Sequence, residues 1–160
     1  MKSWREAARD ALVSGSVASA TSTAVLAACG VARTRSPFAP TNAISHWYFG
    51  DRAARQDAPS WQYTATGLLT HHAASVFWAI FYEKLGGPRR ARNSTAQNLG
   101  EAALVSAMAC FVDYRLTPRR LMPGYEQRID RPALAAVYTS FAAGLALGGA
   151  LLAIASGGRR

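Results

Sequence analysis

The segment ALAAVYTSFAAGLALGGALLAIA, residues 133–155, decides the class of fold. Its 23 residues contain no charge, and a helix needs about 20 mostly apolar residues to cross the hydrocarbon core of a bilayer. The segment also lacks the polar stripe that a helix on the surface of a soluble bundle presents to water. It therefore predicts a membrane-spanning helix.

Three further stretches have a similar length and a similar apolar content. The predicted helices cover residues 11–32, 63–83, 97–116 and 133–156. We therefore predict an all-α fold, a single integral membrane four-helix bundle over residues 1–160. The third helix is the least regular, because its uninterrupted apolar part, Ala102–Val112, lies between Glu101 and Asp113. A soluble alanine-rich bundle is the alternative, but residues 133–155 would give it no polar face.

The charge of the chain agrees with a membrane surface. The net charge is +9 and half of the residues are hydrophobic, while the mean hydropathy is only +0.01 because the connecting loops are basic. Arginines at the ends of the predicted helices suit contacts with lipid phosphates. No basic module interleaved with aromatic residues favours nucleic acid. Alternating helices divide the 18 Lys and Arg residues equally between the two sides, so the positive-inside rule leaves the orientation open.

The first connection carries an aromatic pair. Thr41 or Asn42 is a candidate N-cap for a short helix that would present Ile44, Trp47 and Tyr48 on one side. Trp and Tyr are enriched at the level of the lipid headgroups. We therefore predict a possible short interfacial helix here, with Trp47 and Tyr48 as its anchors.

The second predicted helix carries a candidate polar stripe at spacings of three and four residues. Its members are Thr64, Gly67, His71, Ser75, Trp78 and Tyr82. Such a stripe should face the interior of the bundle, where interhelical hydrogen bonds contribute about 1 kcal/mol each. His72 points about 100° away from it. His71 is therefore the candidate site residue, and His72 is interpreted as a packing residue.

Three functional alternatives use these polar groups. Haem ligation would need His46 of the first connection to approach His71. A metal site would combine a histidine with Glu101 or Asp113, but no known ligand spacing is present, and we predict neither a metal nor another cofactor. A proton or ion path would use the titratable groups nearest the membrane, which are His71, Glu83, Glu101 and Asp113.

Three local features have structural interpretations. Asp113 and Arg115 are a candidate ion pair at the end of the third helix. Ser140, Gly144 and Gly148 form a small-residue series that permits close helix packing or dimerisation. Cys29 and Cys110 lie outside any redox motif and are interpreted as packing thiols, with a disulfide as the less favoured alternative.

From Thr70 to Glu126 the chain resembles the YagU-like family of small bacterial inner-membrane proteins. The matching features run from Thr70-His71 through Ser75 and Phe77 to Tyr82-Glu83, then Leu116-Thr117-Pro118, Pro123 and Tyr125-Glu126. The resemblance implies an inner-membrane location and a role linked to survival in acid. It implies no reaction.

The sequence contains no set of nucleophile, base and orienting group and no phosphate-binding loop. We therefore expect a multi-pass protein of a bacterial inner membrane, a structural, accessory or stress-related component that is not an enzyme. Its expected partners are the lipid bilayer and a homo-oligomer or membrane-complex partner, not nucleic acid. The alternatives are a small transporter or proton-conducting channel that uses the polar face of helix two, and a haem- or metal-binding redox subunit.

Overall fold

The computed structural model describes residues 2–87, 90 and 93–157. All regular structure in these residues is helical, which confirms the all-α prediction. The α-helices are α1 (Trp4–Thr34), α2 (Ala39–Ile44), α3 (His46–Phe49), α4 (Thr66–Gly86), α5 (Thr95–Phe111) and α6 (Arg131–Gly157). A π-helical turn, Trp61–Ala65, leads into α4, and a second one, Val112–Leu116, continues α5.

Capping boxes set where two of the long helices begin. Ser3 accepts a hydrogen bond from the amide of Glu6, whose side chain accepts one from the amide of Ser3. Ser94 and Gln97 form the same pair at the start of α5. These exchanges satisfy free amides of the first helical turn. As a result α1 begins at Trp4, seven residues before the predicted start at residue 11.

α1 lies between α4 and α6, and α5 packs mainly on α6. Glycines allow close approach of these helices. A Cβ atom added to Gly15 would lie 2.6 Å from the Cα of Val76 on α4. One added to Gly148 would lie 2.5 Å from the Cα of Ser14 on α1. The backbones therefore touch where the sequence has small residues.

The interior contains many small side chains, and many of the large apolar ones face outward. Ala11, Ala18 and Ala79 are completely buried. Leu69 on α4 is 69% exposed and Ile154 on α6 is 74% exposed. Other exposed large apolar residues of α4, α5 and α6 are Leu68, Phe77, Leu85, Leu99, Leu104, Met108, Phe111, Leu147 and Leu151. Large side chains such as Leu26, Tyr82 and Leu145 are also buried, but those on the outer faces leave the bundle with extensive exposed apolar surface.

Two helices are long and apolar enough to cross a membrane, Trp4–Thr34 and Arg131–Ser156. The sequence analysis predicted four such helices. α5 has only 17 residues before its π-helical turn, and α4 carries two histidines together with Glu83 and Lys84. The four long helices are thus present, but two of them have less apolar character than a lipid-facing span requires on its own.

The first connection folds into the end of the bundle and does not form a separate surface helix. Every residue of α2 is buried, and α2 packs against α4. Asn42 is completely buried; its amide donates to the carbonyls of Gln56 and Ala58, at 3.0 Å each, and its oxygen accepts from Thr64 at 2.6 Å. We call residues 39–64 the plug. α2 is therefore buried and does not lie at an interface, as the predicted short helix would. Asn42 can be buried because three hydrogen bonds within the protein replace its hydrogen bonds to water.

Candidate functional site

A cavity of about 470 Å³ lies between α4, α5, α6 and the plug. α4 and α5 meet in the buried cluster around Ala79 and Val105. The cavity lies beyond that contact, where α4 and α5 leave a gap, and its wall includes the exposed residues Ala73, Ala74 and Phe77. It therefore opens sideways on the outer surface of the bundle.

The walls of the cavity are largely aromatic. The aromatic side chains that line it are Trp47, Tyr48, Phe77, Trp78, Tyr125, Tyr138 and Phe141. The indole of Trp47 is fixed by donating to the carbonyl of Met122 at 2.8 Å, whereas Tyr48 is 64% exposed. The two predicted interfacial residues thus form the outer wall of the cavity. A concave apolar site with a few polar groups is the usual form of a small-molecule site.

His71 lies in the wall formed by α4. Its Nε2 is 2.8 Å from the hydroxyl oxygen of Ser22 on α1. The same hydroxyl lies 2.7 Å from the carbonyl of Ala18, to which it donates. This arrangement favours the tautomer in which Nε2–H donates to Ser22 and Nδ1 is the acceptor. The edge of the ring also meets Tyr125, with ring centroids 6.4 Å apart.

Asp113 lies in the opposite wall, at the end of α5. The hydroxyl of Tyr138 on α6 donates to its Oδ2 at 2.6 Å. The predicted ion pair with Arg115 is not formed between these two described residues, and Arg115 is exposed. Side chains two positions apart on a helix do not face each other, which explains why Asp113 points inward while Arg115 points outward.

A hydrogen-bonded group that includes Tyr114 lies next to the cavity, and Tyr125 lines it. Tyr114 donates to the carboxylate of Glu126 at 3.3 Å, and the amide of Gly124 donates to the same oxygen at 2.7 Å. Tyr125 is buried among these groups, and burial raises the pKa of its phenol. Tyr125 is therefore a neutral hydrogen-bonding group at any physiological pH.

The predicted polar stripe divides between three places. His71, Ser75 and Trp78 line the cavity. Thr64 belongs to the plug, where it donates to Asn42. Tyr82 is completely buried in the core cluster with Ala79 and Val105, and the guanidinium of Arg90 lies 3.6 Å from its ring centroid. The middle of the stripe alone belongs to the candidate site.

His72 lies outside the cavity. It lines a shallow groove between α1 and α4, together with Ser19, Leu68 and other residues. The third histidine, His46, is buried in the plug, where its Nδ1 is 2.9 Å from the carbonyl of Ala43. Within the described part of the chain, no three His, Cys, Asp or Glu residues are grouped as a metal site requires.

The predicted packing residues of α6 contact α1. The carbonyl of Ser140 accepts a hydrogen bond from Thr21 at 3.0 Å. Gly144 faces Ala18 and Gly148 faces Ser14. The small-residue series therefore serves packing within the chain. Both cysteines, Cys29 and Cys110, are free thiols and partly buried.

Sequence reasoning missed a cluster of charges at the opposite end of the bundle. The ammonium of Lys2 lies 2.6 Å from Glu83 and 2.9 Å from Asp10. Arg90 lies 3.8 Å from Glu83 and 3.6 Å from Glu101. Glu83 is completely buried. Lys2, just before α1, and Glu83, near the end of α4, carry opposite charges. The spacing of residues within one helix cannot show that these two side chains are in contact.

Sequence reasoning also missed Tyr138 and Tyr125 as site residues. Tyr138 lies 25 positions after its partner Asp113, so no helical spacing connects them. A buried acid near a helix end is a signal that some donor must be nearby, but it does not identify the donor.

No protein-family model, curated protein or solved structure matches this chain.

Proposed function

We propose that this protein is a membrane-embedded accessory component, without catalytic activity of its own, that binds a small amphipathic molecule in the cavity. One observation carries the proposal: an aromatic cavity with His71 and Asp113 in its walls opens sideways from a bundle that has many large apolar side chains on its outer faces. A ligand dissolved in lipid would reach such an opening without passing through water.

The arrangement of large and small side chains supports the membrane location. In water, each Å² of apolar surface that stays exposed costs about 25 cal/mol of free energy relative to burial. In lipid that cost is absent, and helices associate through small residues such as Gly144 and Gly148. We propose that α4 and the extended α5 cross a bacterial inner membrane beside α1 and α6. The resemblance to the YagU-like family remains a hypothesis, and the proposal does not depend on it.

The chemistry of the cavity supports binding more than catalysis. Ser75 donates to the carbonyl of His71, one turn back on its own helix, at 2.8 Å, so its hydroxyl is not activated by a base. His71 is held by Ser22. These contacts fix the walls in place, and they do not assemble a nucleophile with its base.

The neutral fluorophore N-phenyl-1-naphthylamine tests this proposal. Its fluorescence rises in apolar surroundings, so the purified protein in detergent should give a saturable signal above that of empty micelles. Ala74→Trp, which places an indole at the cavity wall, should abolish that signal. Ala103→Trp, at an exposed position of α5 outside the cavity, should preserve it. The absence of a saturable signal, or its equal loss in both variants, would overturn the proposal.

A small transporter or proton-conducting channel is a second candidate. It is favoured by the three stripe residues His71, Ser75 and Trp78 in the cavity wall. Transport requires the closed contact around Ala79 and Val105 to open. Proteoliposomes loaded with a pH-sensitive dye should then show a flux that His71→Ala reduces. Binding without transport predicts no flux above that of empty liposomes.

A further inference from the structure

The cavity contains a carboxylate that no cation of the chain neutralises. Asp113 forms no ion pair with any described Lys, Arg or His, and its Oδ1 has no hydrogen-bond partner among the described residues. No described residue in the cavity wall is Lys or Arg. Five other acids do meet a basic side chain, namely Asp10, Asp57, Glu83, Glu101 and Asp130. Asp113 differs from them because its charge faces an open cavity.

Glu126 does not share this property, although it lies close by. Its carboxylate accepts from the amide of Gly124 and from Tyr114, and it does not line the cavity. One acidic group, Asp113, therefore sets the sign of the charge within the cavity wall. An anionic ligand would be repelled there, and a neutral one would leave the charge uncompensated.

The remaining wall has the surface that organic cations prefer. Trp47, Phe77, Trp78, Tyr138 and Phe141 contribute rings to it. A cation near the face of an aromatic ring is attracted by the negative charge on that face, and this attraction grows when water is excluded. A carboxylate together with several rings is a combination that suits an ammonium or phosphonium group.

We propose that the cavity binds an organic cation with an apolar body, its charge beside Asp113 and its body against the aromatic walls. The inference rests on the proposed function, because it names the ligand class of the same cavity. The occupant is a free cation and not the headgroup of a zwitterionic phospholipid. A phospholipid would bring a phosphate, and the described cavity wall offers no Lys or Arg to pair with it.

Two ions with the same four phenyl groups and opposite charge test the inference. Tetraphenylphosphonium and tetraphenylborate would each be titrated against bound N-phenyl-1-naphthylamine in detergent. The cation should displace the fluorophore at a concentration about tenfold or more below that of the anion. Asp113→Asn should remove this preference, and a thermal unfolding curve by circular dichroism that matches the unmodified protein would show that the variant is folded. Asp113→Glu, which keeps the charge, and Asp51→Asn, a matched change at an exposed position of the plug, should retain the preference.

The outcomes separate this inference from the proposed function. Fluorophore binding with no preference between the two ions would overturn the cation assignment and leave a neutral-ligand cavity. Failure of the fluorophore to bind in a saturable way would overturn the cavity function itself. Displacement by phosphatidylethanolamine in lipid discs at least as effectively as by the phosphonium ion would overturn the assignment to a free cation.

Discussion

At the scale of single residues, the chain holds a buried carboxylate and a half-buried one in different ways. Glu83 is completely buried, but it meets the ammonium of Lys2 at 2.6 Å. Asp113 meets only the neutral hydroxyl of Tyr138. The first arrangement compensates a charge within the protein, as a structural ion pair does. The second leaves a charge available to a ligand.

The pair formed by Lys2 and Glu83 predicts a strong effect on stability. Lys2→Met should lower the free energy of unfolding by about 3 kcal/mol, because it leaves a buried carboxylate without its nearest cation. Adding Glu83→Gln should restore a large part of the loss, since no unpaired charge then remains. Lys2→Arg should have a small effect. Thermal unfolding in detergent, followed by circular dichroism, measures all three, and equal stability of the single and double variants would contradict the assignment.

Asn42 gives a second prediction at this scale. Asn42→Ala leaves the carbonyls of Gln56 and Ala58 without their donor, and an unsatisfied buried group costs about 1–3 kcal/mol. The plug should therefore open locally, and amide hydrogen exchange should accelerate over residues 50–64 while the long helices remain protected. Asn93→Ala, at a partly exposed position on a different connection, serves as the matched change. Unchanged exchange in the plug would show that Asn42 does not hold it.

At the scale of elements, the sequence determines the long helices more fully than the segments between them. Capping boxes at Ser3 and Ser94, and apolar runs between Gly and Pro residues, are local signals that lie within one helix. The local signals of the plug, Pro40 and the candidate caps Thr41 and Asn42, do not indicate that it is buried. The burial of the plug depends on hydrogen bonds between Asn42 and residues 14 to 22 positions away. For this reason a Trp/Tyr segment whose composition suits a membrane surface instead lines a cavity.

The glycine face of α6 predicts which substitutions separate α6 from α1. A side chain at Gly144 would meet the backbone of Ala18, whose Cα lies 2.5 Å from the position of an added Cβ. Gly144→Leu should therefore destabilise the protein by about 2 kcal/mol or more, as overpacking does. Ala143→Leu, one position away and exposed, should change stability little. If the two variants unfold at the same temperature in detergent, close packing of this face is not what holds the helices together.

At the scale of the whole molecule, only half of the candidate site could be predicted from the sequence. Helical spacing places His71 and Ser75 on one face of α4, which the cavity then uses. The other half combines Asp113 with Tyr138 across a 25-residue separation. Their contact depends on how α5 packs against α6, and the pattern of residues within one helix does not predict how two helices pack.

The contacts also assign the ends of the long helices to two sides. Lys2 at the start of α1 contacts Glu83 at the end of α4, and Arg90 reaches Glu101 near the start of α5. At the other end Arg128, before α6, donates to the carbonyl of Ala54 in the plug at 2.6 Å. α4 has 21 residues, which corresponds to about 30 Å at 1.5 Å per residue, the thickness of a hydrocarbon core.

A labelling experiment with single cysteines therefore tests the membrane-embedded arrangement. In a background without the native cysteines, Ser3→Cys and Ala96→Cys should share one side of the membrane, and Gln62→Cys and Gln127→Cys should share the other. A membrane-impermeant maleimide applied to sealed vesicles should label one pair and spare the other, and all four positions should react after permeabilisation. All four positions are exposed, so in the proposed arrangement the bilayer is what separates the two pairs. Equal labelling of both pairs in sealed vesicles would mean that the bundle does not cross the membrane, and its outward apolar faces would then have to be covered by protein.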